Sequence, residues 1–287
     1  MGGPWTRAVG LVLARTGFDV DSFYLRFLEG IERTLADSAT ELLLQIVPTA
    51  ADELATLDRW RETGRVDGVV IVDPRIDDPR LEWAARADAL PAVVVADASV
   101  AGEAAAVAAD DAAAMRAVVA RLAQRGHRRI ARVAGFSRIA HTRVRDEAFL
   151  AAAADHGVSA VIARTDFSMG RSASATRELL TGDDPPTALI YEDDLMAVAG
   201  LGAAVAAGRR VPDDVSIVAG DDSQLCVHSA PALTAFATDI PGLGAEVARR
   251  LLELIDGAAP AAHVVPAPPL VERASLGPAP ARAAAAD

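Results

Sequence analysis

Short runs of β-branched and aliphatic residues recur along the chain, each followed by a stretch long enough for a helix, and this alternation constrains the fold more than any other feature. The runs are AVGLVLA from Ala8, ELLLQIV from Glu41, DGVVIV from Asp67, AVVVA from Ala92, RIARVA from Arg129, SAVIA from Ser159, ALIY from Ala188 and SIVAG from Ser216. They are almost continuously apolar rather than alternating, as expected of strands covered on both faces in parallel sheets. Residues 22–35, 111–125, 139–156, 168–180, 193–207 and 241–256 supply crossover helices. Asp111 and Asp193 stand where N-caps belong, and Gly126, Gly157, Gly208 and Gly257 where helices should end. The class is therefore α/β, and the repetition alone is compatible with a barrel, one wide sheet or two doubly wound lobes.

Composition narrows the function. With 287 residues, 52% of them hydrophobic, the chain can bury a sizeable core. No window approaches eighteen uninterrupted apolar residues, so no membrane span is expected. The 40 acidic residues outnumber 28 basic ones for a net charge of −12, the wrong sign for tracking a phosphate backbone. Every basic residue is arginine, because the sequence has neither lysine nor asparagine. Schiff-base chemistry and a P-loop lysine are thereby excluded. A single cysteine, Cys226, excludes an internal disulfide framework and a cysteine zinc cluster. The opening MGGPWTRAVG lacks the layout of a signal peptide, which points to the cytoplasm. Residues 277–287, GPAPARAAAAD, carry no apolar period and are expected to form a disordered tail.

Reaction chemistry leaves few marks. GFSRI from Gly135 lacks the second glycine of a nucleophile elbow, and GLGAAV from Gly200 and GLGAEV from Gly242 hold two of the three glycines of a dinucleotide fingerprint, which helix packing and helix entry also explain. The five histidines show no chelating pair, and His127, between a helix end and a strand, fits a group that satisfies terminal carbonyls. No cofactor, no metal and no catalytic residue is expected, so the chain does not read as an enzyme. Among many acidic pairs, those in YEDD and GDD directly follow hydrophobic strands. Side chains beyond the carboxyl ends of parallel strands converge on a ligand crevice, which makes Asp193 and Asp221 binding candidates and leaves Asp194 and Asp222 as cap or turn residues. Carboxylates accept sugar hydroxyls well, and arginine forks complement their oxygens.

Eight strings occur in order: TRAVGLVLA, DSFYLRFLEGIE, RVDGVVIV, RGHRRIARVAG, PTALIYEDDLMAVAGL, VPDDVSIVAGDD, PALTAF and, after a final helix, LVERAS. Together they resemble the effector-binding core of the lactose-repressor and galactose-repressor (LacI/GalR) family of bacterial transcription regulators, which has the periplasmic-binding-protein type I fold. The resemblance covers residues 6–276. It implies two doubly wound parallel-sheet lobes, one of residues 6–125 with 238–256 and the other of 126–237 with 263–276. It also implies a small polar effector in the cleft, a sugar in first place, and allosteric control of a homodimer. DNA contact would fall to a helix-turn-helix segment that this sequence does not contain. A solute-binding protein of the same fold is the alternative, and a sugar-processing α/β enzyme a more distant one.

The family's effector contacts map onto named positions. Phe23 and Tyr24 take the place of an aromatic pair that walls the pocket, though both could pack the first helix. Arg145, in RDEAF, matches the arginine of the family's Arg-x-x-Gly-Phe, with Ala148 where glycine is usual. Arg143 competes for that role, and Arg145 could instead pair with Glu147 or Asp146. Phe167 matches an aromatic that stacks on a sugar or base ring, or plugs its own loop. Asp193 stands where the family has asparagine, which favours a ligand rich in hydroxyl donors, and Asp221 matches the first residue of the Asp-Asp pair. The family places dimer contacts on residues 223–230, with Leu225, Cys226 and Val227, and on the helix from Asp194; a two-fold axis nearby would bring Cys226 close to its mate.

Overall fold

The computed structural model describes residues 7–14, 22–86 and 88–281. In chain order the first elements are β1 (Arg7–Ala14), α1 (Ser22–Ala36), β2 (Thr40–Val47), α2 (Ala50–Thr63), β3 (Gly68–Ile71), α3 (Pro79–Ala84), β4 (Ala92–Val95), α4 (Ala98–Ala101) and β5 (Ala105–Ala109). Then come α5 (Asp111–Gln124), β6 (Arg129–Ala134), α6 (Ala140–Asp155), β7 (Ser159–Arg164), α7 (Met169–Thr181), β8 (Ala188–Tyr191), α8 (Asp194–Ala206), β9 (Ser216–Ala219), α9 (Gln224–His228) and β10 (Thr234–Phe236). Helix α10 (Ile240–Ile255) and strands β11 (Ala262–Val265) and β12 (Leu270–Val271) complete the set.

The strands form two six-stranded sheets, and the chain divides into two compact units around them. In the first unit the order is β11-β5-β4-β3-β1-β2, parallel throughout. Its core has two layers, because the apolar strands must be covered on both faces. Val9, Leu11 and Val70 pack with Phe27, Ile31, Val247 and Leu251 of α1 and α10. Val69, Ile71 and Val94 pack with Leu57, Trp60 and Trp83 on the other side. A capping box between Thr49 and Asp52 starts α2, and Gly64 ends it in the left-handed conformation (φ 58°).

The second unit has the order β12-β10-β9-β8-β6-β7, with only the short β12 antiparallel to its neighbour. Ile130, Ile190 and Val218 pack with Val118, Leu122 and Phe149 of α5 and α6. Val133, Leu189 and Ile217 pack with Met196, Leu201 and Leu180 of α7 and α8. Gly200 lies so close to Tyr191 that a Cβ there would stand 2.0 Å from the phenol oxygen, which accounts for GLGAAV as helix packing.

Three expected boundaries are corrected. The units part after Asp110 rather than residue 125, because α5 buries Met115, Val118, Val119 and Leu122 in the second unit's core. Residues 263–265 belong to the first unit, where β11 pairs in parallel with β5. The expected tail begins too early: Gly277 donates its N–H to Ser216 Oγ (3.1 Å) and Ala279 to the carbonyl of Arg125 (2.9 Å). Residue 6 and residues 282–287 lie outside the described residues.

His127 anchors that C-terminal segment from within, its fully buried ring bonded to Thr187 Oγ1 (2.9 Å) and the Gly277 carbonyl (3.3 Å). Burial outweighs the carbonyl of Gly277, and Arg125 adds to it, so the imidazole titrates below its ordinary value. The unfolded chain therefore takes up a proton that the folded chain refuses once pH falls below about 6.5. This part of the stability is complete above that pH and declines below it, down to the depressed folded value. Urea midpoints between about pH 7.5 and 5.5 should accordingly fall less in His127→Gln than in the wild type; equal slopes would refute the linkage.

Candidate functional site

The strand order of the second unit makes a crevice. From β6 the chain steps to β7 on one side, while β8, β9 and β10 lie on the other, so the order reverses between β6 and β8. In open parallel sheets ligands bind beyond the carboxyl ends of strands at such a point. The first residues after β6, β8 and β9 are Gly135, Glu192 and Gly220. A Cβ on Gly220 would lie 1.8 Å from the carbonyl oxygen of Glu192, so only glycine lets the end of β9 come alongside. Here a small pocket is lined by Arg132, Arg145, Glu192 and Asp111, with Tyr191, Phe236 and Met115 among its apolar walls.

A chain of alternating charges underlies it. Arg132, wholly buried in the middle of β6, donates through Nε to Asp146 (2.8 Å) and through Nη2 to Glu192 Oε2 (2.5 Å). The other Glu192 oxygen accepts from Arg145 Nη1 (2.9 Å), and the Gly135 N–H also reaches Oε2 (3.2 Å). Arg145 then spans Asp111 with Nε and Nη2, each at 3.1 Å. At the far end Asp146 pairs with Arg164 (2.5 Å). Burial works against the charge of Arg145, but Asp111, Glu192 and Asp221 outweigh it and raise its pKa above the ordinary value. It is a permanent cation whose compensation is already built in.

The expected residues are distributed as follows. Arg145 stands in the pocket, and the competing Arg143 lies on the surface with Glu147 (2.7 Å). Asp221 is half-buried and close enough to act on the charge of Arg145. Asp193 caps α8, its Oδ1 accepting from the Met196 N–H (2.6 Å). Phe167 is half-buried with φ 66°, edge-on to Phe136 (5.9 Å between centroids), its ring filling the space a Cβ on Gly135 would need. Asp222 is bound by both arms of Arg273 (2.8 and 2.7 Å), an ion pair where a cap or turn was expected. Phe23 and Tyr24 belong to the first unit, half-buried; Phe23 stacks on Phe27 (5.7 Å), and the Tyr24 hydroxyl donates to Asp73. Residues 224–228 are a one-turn helix rather than a loop, with Leu225 (46%) and Val227 (42%) exposed. Cys226 is fully buried in the unit's own core, burial pushes its thiol up to about 11, and it does not share the exposed face of its neighbours.

Arg132, Glu192, Asp111 and Asp146 had no place among the expected site residues. One signal was available: an arginine in the middle of RIARVA cannot be buried without carboxylate partners. Among the described residues there is no group of three or more His, Cys, Asp or Glu side chains able to hold a metal ion, and no helix long and apolar enough to cross a membrane.

Residues 119–276 match the family model described as a periplasmic binding protein-like domain. The chain is 30% identical over 288 residues to the HTH-type transcriptional regulator AglR of Rhizobium meliloti, covering 96% of this chain and 79% of that protein. It is 35% identical over 146 residues to the HTH-type transcriptional regulator CelR of Thermobifida fusca, a match over 50% of this chain that spans only 43% of that regulator's length. A solved LacI-family transcriptional regulator from Bifidobacterium animalis subsp. lactis is 36% identical, with a TM-score of 0.88 over 96% of this chain and 99% of that one. A CelR–cellobiose complex is 27% identical, with a TM-score of 0.85 over 93% of this chain and 84% of that one.

Replacing Arg132 with alanine takes one of two arginine partners from each of the buried carboxylates Glu192 and Asp146. Loss of one partner from a buried ion pair costs on the order of 3–5 kcal/mol, and urea denaturation followed by circular dichroism should show a loss of that size. A loss under about 1 kcal/mol, the level of an exposed pair, would contradict it.

Proposed function

The chain belongs to the LacI/GalR family of transcriptional regulators, and from that premise we propose that it is a sensor whose second-unit pocket binds a small hydroxyl-rich effector, a sugar, without transforming it. The observation that carries this reading is Arg145, fixed by Glu192 and Asp111 at the switch point of the sheet. A guanidinium has five N–H donors, and those not directed at the two carboxylates can serve ligand oxygens. Asp221, beside it, can accept hydroxyl protons. Phe167, packed over Gly135 after β6, would offer an apolar face to a pyranose ring. Asp193 contributes chiefly by starting α8.

Such a ligand changes the regulator's output only through a difference in its affinity for two conformations. DNA contact would be made by a helix-turn-helix in the whole regulator, since a net charge of −12 opposes binding to phosphate by this chain. A second copy of the chain would dock on α9, where Leu225 and Val227 stand exposed while Cys226 packs inward. Family membership and the fold support a protein that acts within the cell.

Because a solved relative of similar fold holds cellobiose, neutral disaccharides such as cellobiose and maltose are the first probes. Calorimetry should find binding by the wild type that falls at least about tenfold in Arg145→Ala and in Asp221→Ala, as expected when a charge-assisted hydrogen bond is lost. Unchanged affinity in both variants would refute the pocket. Light scattering should give the mass of a dimer that dissociates when Leu225 and Val227 are both replaced by aspartate. A wild type that stays monomeric at about ten times the concentration expected for a micromolar dimer would refute the interface.

A further inference from the structure

Glu192 is the carboxylate that both pocket-lining arginines, Arg132 and Arg145, reach. It is 2% exposed, lies at the floor of the pocket, and receives Arg145 on one oxygen while Arg132 and the Gly135 N–H reach the other. Two guanidiniums and a backbone N–H converging on one small volume are what a protein builds to hold a phosphate or carboxylate from a ligand. Here that volume is filled by the protein's own side chain. We propose that Glu192 is the specificity-determining residue of the pocket, an internal counter-ion that occupies the place an anionic ligand group would take and restricts the site to uncharged, hydroxyl-bearing ligands.

The surrounding charges agree. Asp111 binds the Nε and Nη2 side of Arg145, and Asp146 with Arg164 closes the far side of Arg132. With Asp221 also acting on Arg145, four carboxylates stand around three guanidiniums. A phosphorylated or carboxylated sugar would meet no uncompensated cation and would have to displace Glu192, leaving a buried charge without its partners. Neutral hydroxyls meet no such penalty, because they donate to the carboxylates and accept from the N–H groups of Arg145 that are not directed at Glu192 or Asp111. The inference rests on the sugar-sensing reading for its ligand class, but the anion hole beneath Glu192 can be tested without any sugar.

The full chain is compared as wild type, Glu192→Ala and Glu192→Gln. Truncation to alanine opens the hole, and sodium acetate should then raise the melting temperature of Glu192→Ala well beyond the effect of matched sodium chloride, while acetate and chloride act alike on the wild type. Equal responses of variant and wild type to acetate would overturn the proposal. Should Glu192→Ala fail to fold even in acetate, Glu192→Gln decides: inorganic phosphate should stabilise it more than the wild type, and an equal effect overturns the proposal. In calorimetry the wild type should bind cellobiose or maltose at least about tenfold more tightly than glucose 6-phosphate, and equal or tighter binding of the phosphate would also overturn it. If the wild type binds none of these sugars, the sugar-sensing reading fails and the acetate and phosphate responses still decide the role of Glu192.

Discussion

The carboxylate of Glu192, shared between Arg132 and Arg145, is the interaction on which the second unit's pocket depends. Arg132 sits in β6 between the apolar Ala131 and Val133, and a buried guanidinium is tolerable only if its charge is met within hydrogen-bonding distance. Asp146 on α6 and Glu192 after β8 meet it, and in doing so tie a helix and two neighbouring strands to one point. Glu192 then passes the constraint on to Arg145, whose other edge is fixed by the first residue of α5. The fixed position of Arg145 in the pocket thus follows from the need to neutralise Arg132. Gly220 makes the arrangement possible by letting β9 end against the backbone of Glu192.

Much of this fold could be read from the chain because β-branched runs and glycine stops carry local information. Gly126, Gly157, Gly208 and Gly257 all adopt positive φ at helix ends, as their placement predicts. The strand AAVAA of β5 escaped notice because alanine favours helices, yet its small residues suit a strand wedged between β4 and β11. Helix α2 was missed as well, although Thr49 and Asp52 form a capping box visible in the sequence as Thr-x-x-Asp. The unit boundary moved because the residues that claim α5 lie in β6 and α6, and no local pattern reports such a pairing.

The site was less readable for a related reason. YEDD offers three consecutive carboxylates, and which of them enters the pocket is set by the backbone where β8 hands over to α8. Asp193 uses its carboxylate on the Met196 N–H, Asp194 turns into the interior, and Glu192 meets Arg132 and Arg145. Asp111 looks like a helix cap in sequence but faces an arginine 34 residues away along the chain. Arg145 and Asp221 carry motif signals and so could be proposed from the sequence, whereas Arg132, Asp146 and Glu192 owe their places to pairing with one another.

The claim that this network forms the floor of a neutral-sugar site is tested most directly by a crystal structure of the chain grown with cellobiose. Sugar hydroxyls are expected within hydrogen-bonding distance of Arg145 and Asp221, with Glu192 still bridging Arg132 and Arg145 beneath them. A sugar bound away from Arg145, or a Glu192 side chain withdrawn from both arginines to admit it, would rule out this network as the floor of the site.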